Sequence, residues 1–209
     1  MAVTGKRHEV RVDYEVSVNN HGRITNFEAT YLASSGIVAD ISPFFIQNSI
    51  LRLDGGYTLS NFSVTGHACQ TNISSNVPMR GFGGPEASVV IEAVIDHICQ
   101  HFKFDPVQVR EINMTKEDDL LHYSDNRVQG CTLRECWDLC LKKSNYMKQL
   151  QEMQNFNKNS GFTKHGMSIM PMKMAVRFTA KQLMQGLCTL QIYKDGSVLL
   201  QTGMEHLKT

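Results

Sequence analysis

No run of about 18 apolar residues occurs in this sequence, so nothing in it reads as a membrane-spanning helix. The opening stretch, MAVTGKRHEVRVDYE, lacks the apolar centre of a secretion signal, and a cytoplasmic location is expected. Charge of one sign is also missing. The 21 Lys and Arg against 20 Asp and Glu leave a formal +1, too little to gather nucleic-acid phosphates or an anionic lipid surface. Neither nucleic acid nor membrane is therefore expected as a partner. There is no C-x-x-C pair among the six cysteines, which removes the usual spacings for zinc and for iron–sulfur clusters. In a reducing compartment the cysteines stay as thiols. Cys136 and Cys140, four apart, share a helix face and read as packed thiols.

What is present suffices for a core, since 42% of the 209 residues are apolar. Val10, Val12, Tyr14, Val16 and Val18 alternate with polar neighbours, the period of a half-buried strand. Asn19-Asn20-His21-Gly22 then turns the chain into a return strand over 23–32. Residues 41–59 read as a short helix followed by a strand. Val90, Ala93, Val94, His97 and Ile98 recur at helical spacing over 87–104, with Pro85 and Glu86 in the first turn. Asp105-Pro106 starts a second helix through Ile112. Thr132 with Glu135 has the form of a capping box opening a third, through Trp137 and on towards Phe156. His97 and Trp137 read as packing residues. In GMSIMPMKMAVRF, Met170, Met172, Met174, Val176 and Phe178 fall on one face of a strand as core filler. Lys194-Asp195-Gly196 joins a final hairpin. Strands, helices and strands in that order give an α+β fold, divided in the polar stretch 115–131.

The candidate site is PMRGFGGPE, residues 78–86. Closely spaced glycines let backbone N–H groups approach an anion. Yet a dinucleotide fingerprint anchored on Gly81 and Gly83 needs glycine where Glu86 stands, and no Gly-Lys-Ser/Thr follows. Two readings remain from the residues alone. In one the loop folds against a ligand with Phe82 held out and Arg80 beside it; in the other it is an ordinary tight turn with Phe82 buried and Arg80 solvated.

The longer run CQTNISSNVPMRGFGGPE resembles the C-K-T-N-x-P-S-N-T-A-F-R-G-F-G-G-P-Q signature of the molybdenum hydroxylases, the xanthine dehydrogenase and aldehyde oxidase family. LRECWDLCLKKSNY, FNKNSGFTKHGMSIMPMKMAVRFT and IYKDGSVLL are similar to later parts of that family, in the same order, so the likeness covers nearly the whole chain. The resemblance implies strand hairpins and helices from the junction of two molybdopterin-binding domains: part of the first in 1–115, with the RGFGGPE loop, and the beginning of the second in 116–209. It implies a molybdenum–molybdopterin cofactor beside Arg80, Gly81 and Gly83, with Arg80 also contributing to the metal's surroundings. It places a planar heterocycle or an aldehyde between Phe82 and Phe178, with Thr179 as a further substrate contact. The implied reaction is hydroxylation of a carbon.

The departures bear on activity. Val77-Pro78-Met79 replaces the family's Thr-Ala-Phe, and Pro78 removes a backbone donor. Asn48 stands where xanthine-type members carry a substrate-binding arginine, so an anionic substrate loses its charge partner. After Leu199-Leu200 the chain reads QTGMEHLKT in place of G-G-T-E-M-G-Q-G-L-H-T-K. The family's general base and its iron–sulfur and flavin domains have no counterpart in these residues. The expectation is a fragment, a decayed gene product or one part of a split assembly, inactive alone. The alternative is an inactive paralogue or interaction protein, for example one that pairs with full-length relatives. Uncovered apolar faces predict poor solubility as an isolated monomer.

Overall fold

The computed structural model describes residues 5–123, 125–174 and 188–202. The chain divides between Met174 and Ala175 into two units.

In the first unit, β1 (Val10–Val18) and β2 (Ile24–Gly36) form the expected antiparallel hairpin, with Val12 opposite Tyr31 and Val16 opposite Phe27. The turn between them closes on one side chain: Asn19 Oδ1 accepts from the N–H groups of His21 and Arg23. Helix α1 (Ser42–Ile50) then carries the chain across the sheet to β3 (Phe62–Gln70), which pairs parallel with β2 in the order β1-β2-β3. The helix expected within 41–59 is present. The strand is displaced, because 51–56 form turns and Tyr57 makes only an isolated bridge to Met114.

Helix α2 (Gly84–Phe102) covers the sheet together with α1. Its buried stripe is Ala87, Ile91, Val94, Ile95, Ile98 and Cys99, while Ala93 and His97 are exposed. The apolar face is thus rotated from the one the spacing suggested, because Ile91 and Ile95 enter the core with Ile24, Phe27, Tyr31, Phe45 and Leu53. His97 lies at the edge, stacked on Tyr14 and hydrogen-bonded to its hydroxyl.

Helix α3 (Pro106–Asn113) begins as expected, with Asp105 Oδ1 accepting from the N–H groups of Val107 and Gln108 at 2.9 Å. Asn113 is fully buried and ties its end to the hairpin: its Oδ1 accepts from Ile24 N–H and its Nδ2 donates to the Gly22 carbonyl, both at 2.8 Å.

The long helix expected from Thr132 towards Phe156 is two helices, α4 (Leu133–Lys143) and α5 (Tyr146–Asn159). Asn145 at φ +48° breaks them, in the left-handed region that asparagine tolerates better than most residues. Thr132 makes no side-chain cap bond, so the capping box is not formed. Trp137 is buried as packing, its Nε1 donating to Glu111 at 2.8 Å, and Cys136 and Cys140 are exposed rather than packed.

Residues 166–174 form no strand, and Met170, Met172 and Met174 are exposed. The period-two pattern there does not mark a core face; Val176 and Phe178 lie outside the described residues. In the second unit, β4 (Cys188–Ile192) and β5 (Val198–Thr202) make the expected hairpin.

Candidate functional site

Two overlapping turns build the glycine loop. Phe82 N–H donates to the Met79 carbonyl at 2.8 Å, and Gly84 N–H donates to the Gly81 carbonyl at 2.9 Å. The Gly83 carbonyl then accepts from Ala87 N–H, and the chain is inside α2. Gly81, Phe82 and Gly83 have φ of +97°, +43° and +87° in succession. The second turn, with positive φ at both central residues, is of the I′ kind that normally takes Asn, Asp or Gly; Phe82 occupies its first central position.

The glycines have reasons of their own to be here. A Cβ on Gly83 would collide with Ser49 Oγ and come within 3.0 Å of the Phe45 carbonyl oxygen, while one on Gly81 would lie 2.7 Å from the Pro85 ring. The loop is pressed onto α1, and that contact forbids side chains independently of any ligand. Phe82 is half-buried and Arg80 exposed, between the two arrangements that the sequence left open.

The residues beneath the loop carry little signal in the sequence. Asn48 stands out there only for the charge it lacks; in the fold it is buried on α1, and its Nδ2 donates to the Phe82 carbonyl. One turn further, Arg52 Nη1 donates to the Gly81 carbonyl at 3.1 Å. Burial holds the Arg52 pKa below the usual guanidinium value, and its buried Nε has no hydrogen-bond partner. The spacing of four between these two donors was the available signal. Below them, Tyr31 is pushed up to about 12 by burial, with Ser49 pulling the other way. His8 stacks on Phe45 at 4.0 Å and shares a 2.8 Å hydrogen bond with Ser42. Burial lowers its pKa against the opposing pull of Glu86, which pairs with Arg7 at 2.7 Å.

A second polar cluster lies beside the loop. Asp54, buried after α1, receives Lys173 Nζ at 2.6 Å and lies 3.2 Å from His122 Nδ1. Pro171 packs against Gly56 in the same region, and the Met174 methyl group lies 3.8 Å from where a Cβ on Gly84 would be. The strap 170–174 therefore runs along the 52–56 turn to the first residue of α2. Phe178 and Thr179 lie outside the described residues. No group of three or more potential metal-ligating side chains occurs among the described residues, nor does any helix long and apolar enough to cross a membrane.

Comparison with known proteins identifies the class. Models of the molybdopterin cofactor-binding domain match residues 1–114 and 139–207, and the chain belongs to that family. Within it, the chain resembles the molybdopterin-binding region of the xanthine dehydrogenase and aldehyde oxidase oxidoreductases. It is 37% identical to the xanthine dehydrogenase/oxidase of Gallus gallus and 35% identical to aldehyde oxidase 4 of Rattus norvegicus. Each match spans 203 residues, 97% of this chain and 15% of the relative. Among solved structures, the aldehyde oxidoreductase of Desulfovibrio gigas aligns with a TM-score of 0.68 at 21% identity, over 78% of this chain and 17% of that one. The Cu,Mo carbon monoxide dehydrogenase aligns at 0.66 and 15% identity, over 98% and 28%. These likenesses bear out the mixed helix-and-strand fold.

Molybdenum–molybdopterin is the cofactor that goes with this resemblance. The loop suits an anionic group of that kind. Arg80 is exposed on the turn that opens helix α2, and it brings positive charge to the helix start.

Proposed function

We propose that this chain supplies the glycine-loop side of a molybdopterin and substrate site of the xanthine dehydrogenase and aldehyde oxidase type. Arg80, Gly81 and Gly83 face the cofactor, and Phe82 lies against a planar heterocycle or an aldehyde. When bound, the cofactor supplies the oxidation of a substrate carbon. The chain's own contribution is to orient the substrate, by giving a flat ring an aromatic face to lie on. By the resemblance alone, Phe178 and Thr179 complete that surface. The chain carries part of a first molybdopterin-binding domain in 1–115 and the beginning of a second in 116–209, a division supported by separate family matches to 1–114 and 139–207.

The observation that carries the reading is the loop's geometry: three consecutive left-handed residues leave Phe82 half-buried at the opening of α2, beside exposed Arg80. The same geometry favours a neutral ligand. Asn48 brings no charge and its donor is committed to the Phe82 carbonyl, and Arg52 is bonded to the loop's own backbone. Turnover by a complete enzyme needs residues beyond the 15% of the relatives' length that this chain spans. Exposed Ile37, Val38, Ile41 and Phe44 at the start of α1, with exposed Ile73, whose carbonyl accepts from Ile37 N–H, favour association of this chain with further protein.

Saturation-transfer NMR with a neutral two-ring N-heterocycle and with an anionic analogue tests the assignment. Binding of the neutral ring is expected, with a Kd on the order of millimolar. It is expected to be lost in Phe82→Leu, which keeps an apolar side chain and removes the ring face. Equal binding by the wild type and Phe82→Leu would refute it.

A further inference from the structure

The loop turns an aromatic residue into a backbone conformation that aromatic residues avoid. Left-handed φ at a non-glycine residue costs on the order of 1 kcal/mol or more and persists only where the surroundings over-determine it. The surroundings here are specific. The two consecutive carbonyls that flank the strained position, those of Gly81 and Phe82, each accept a side-chain hydrogen bond, from Arg52 and Asn48 respectively. Both donors come from the last turn of α1 and the residues just beyond it. Asn48 is 6% exposed, so its amide is held by packing and is not free to seek water. Ser49 lies between them, fully buried, and touches the space a Gly83 side chain would need.

We propose that Asn48 and Arg52 form a two-point clamp on the loop backbone and are positioning residues for Phe82. They act on two peptide units and make no claim on a ligand. With both carbonyls held towards α1, the second turn is fixed in its I′ form and the Phe82 ring is presented in one orientation. Without the clamp, Phe82 would relax to negative φ and the turn would reopen. The functional meaning of the clamp rests on the reading of Phe82 as a ligand-stacking residue, but its geometry does not.

The test uses no ligand, so it fails separately from that reading. Urea unfolding of the full chain is measured for the wild type, Asn48→Ala, Phe82→Gly and the double variant. Glycine adopts left-handed φ without help, so the clamp should matter only while Phe82 is present. Asn48→Ala is expected to lower the folding equilibrium constant by about tenfold in the wild-type background and by less than about threefold in the Phe82→Gly background. A residue that merely packs α1 would cost the same in both, and equal losses would overturn the proposal. If Phe82→Gly does not fold, Phe82→Asn serves as the background, since asparagine also tolerates this region. Asn48→Asp provides a second measurement. It keeps the shape and loses the donor, and it is expected to speed amide exchange at Phe82 and Gly84 about fivefold, as judged from about 1 kcal/mol per lost hydrogen bond. Unchanged exchange there would also overturn the proposal.

Discussion

The body formed by β1–β3 and α1–α3 and the segments that follow Thr115 are held together in different ways. In the body, β2 alone contributes Ile24, Phe27, Tyr31 and Ala33 to a core that α1, α2 and α3 close with Phe45, Ile91, Val94, Ile95 and Val109. All of them belong to one buried cluster drawn from several elements. Helix α4 buries only Trp137 and helix α5 only Tyr146, while Leu139, Met147 and Phe156 are exposed. The strap 170–174 is held by Pro171 and the Lys173–Asp54 pair. The difference accounts for where the strained loop sits. A left-handed Phe82 can be maintained against the redundantly packed α1, whereas a segment on a single anchor would yield first.

The largest expected effect separates the two regions directly. Phe27→Ala should cost about 3–5 kcal/mol and release amide protection across the whole sheet at once. Trp137→Ala removes a comparable side chain, yet it should expose only α4 and α5 and leave β2 protection unchanged. Hydrogen exchange resolved by segment checks both, and equal deprotection of β2 by the two substitutions would erase the distinction.

A smaller effect belongs to the strap. Asp54→Asn should weaken a largely buried charge-assisted hydrogen bond worth about 2 kcal/mol. Tryptic cleavage after Lys173 should then rise by at least about tenfold at unchanged stability of the body. Lys173→Arg, which keeps the charge, should remain protected. Cleavage that is unaltered in Asp54→Asn would show that Pro171 alone holds the strap.

These contrasts also explain what could be read from the sequence. The β1–β2 hairpin, α3 and the 188–202 hairpin were legible because each is specified locally, by alternation, by Asp105-Pro106 and by Lys194-Asp195-Gly196. The methionine pattern at 170–174 misled because period two is also what an extended strap shows, and only tertiary contacts tell a sheet from a lone segment. The break at Asn145 was missed because one left-handed residue interrupts a continuous helical pattern without glycine or proline. For the site, the loop itself was legible through its glycines and its resemblance to the molybdenum hydroxylases. Its supports were not. Asn48 and Arg52 contact backbone atoms more than 25 positions away, and Asp54 meets Lys173 across 119 positions, distances that no local pattern encodes.

The smallest contrast lies between two helix starts that look alike in sequence. Asp105 and Thr132 are both good N-cap residue types. Asp105 has extended backbone, φ −70° and ψ 123°, and its carboxylate reaches two N–H groups. Thr132 sits at φ −98° and ψ 9°, outside the extended region, and makes no side-chain cap bond. An N-cap side chain typically reaches the first N–H groups from a non-helical, extended backbone. Asp105→Ala should therefore destabilise the body by about 1 kcal/mol, whereas Thr132→Ala should stay within about 0.5 kcal/mol. Urea midpoints at constant m-value distinguish the two. A Thr132→Ala loss matching that of Asp105→Ala would mean that the capping box forms in solution, and α4 would then be held by more than Trp137.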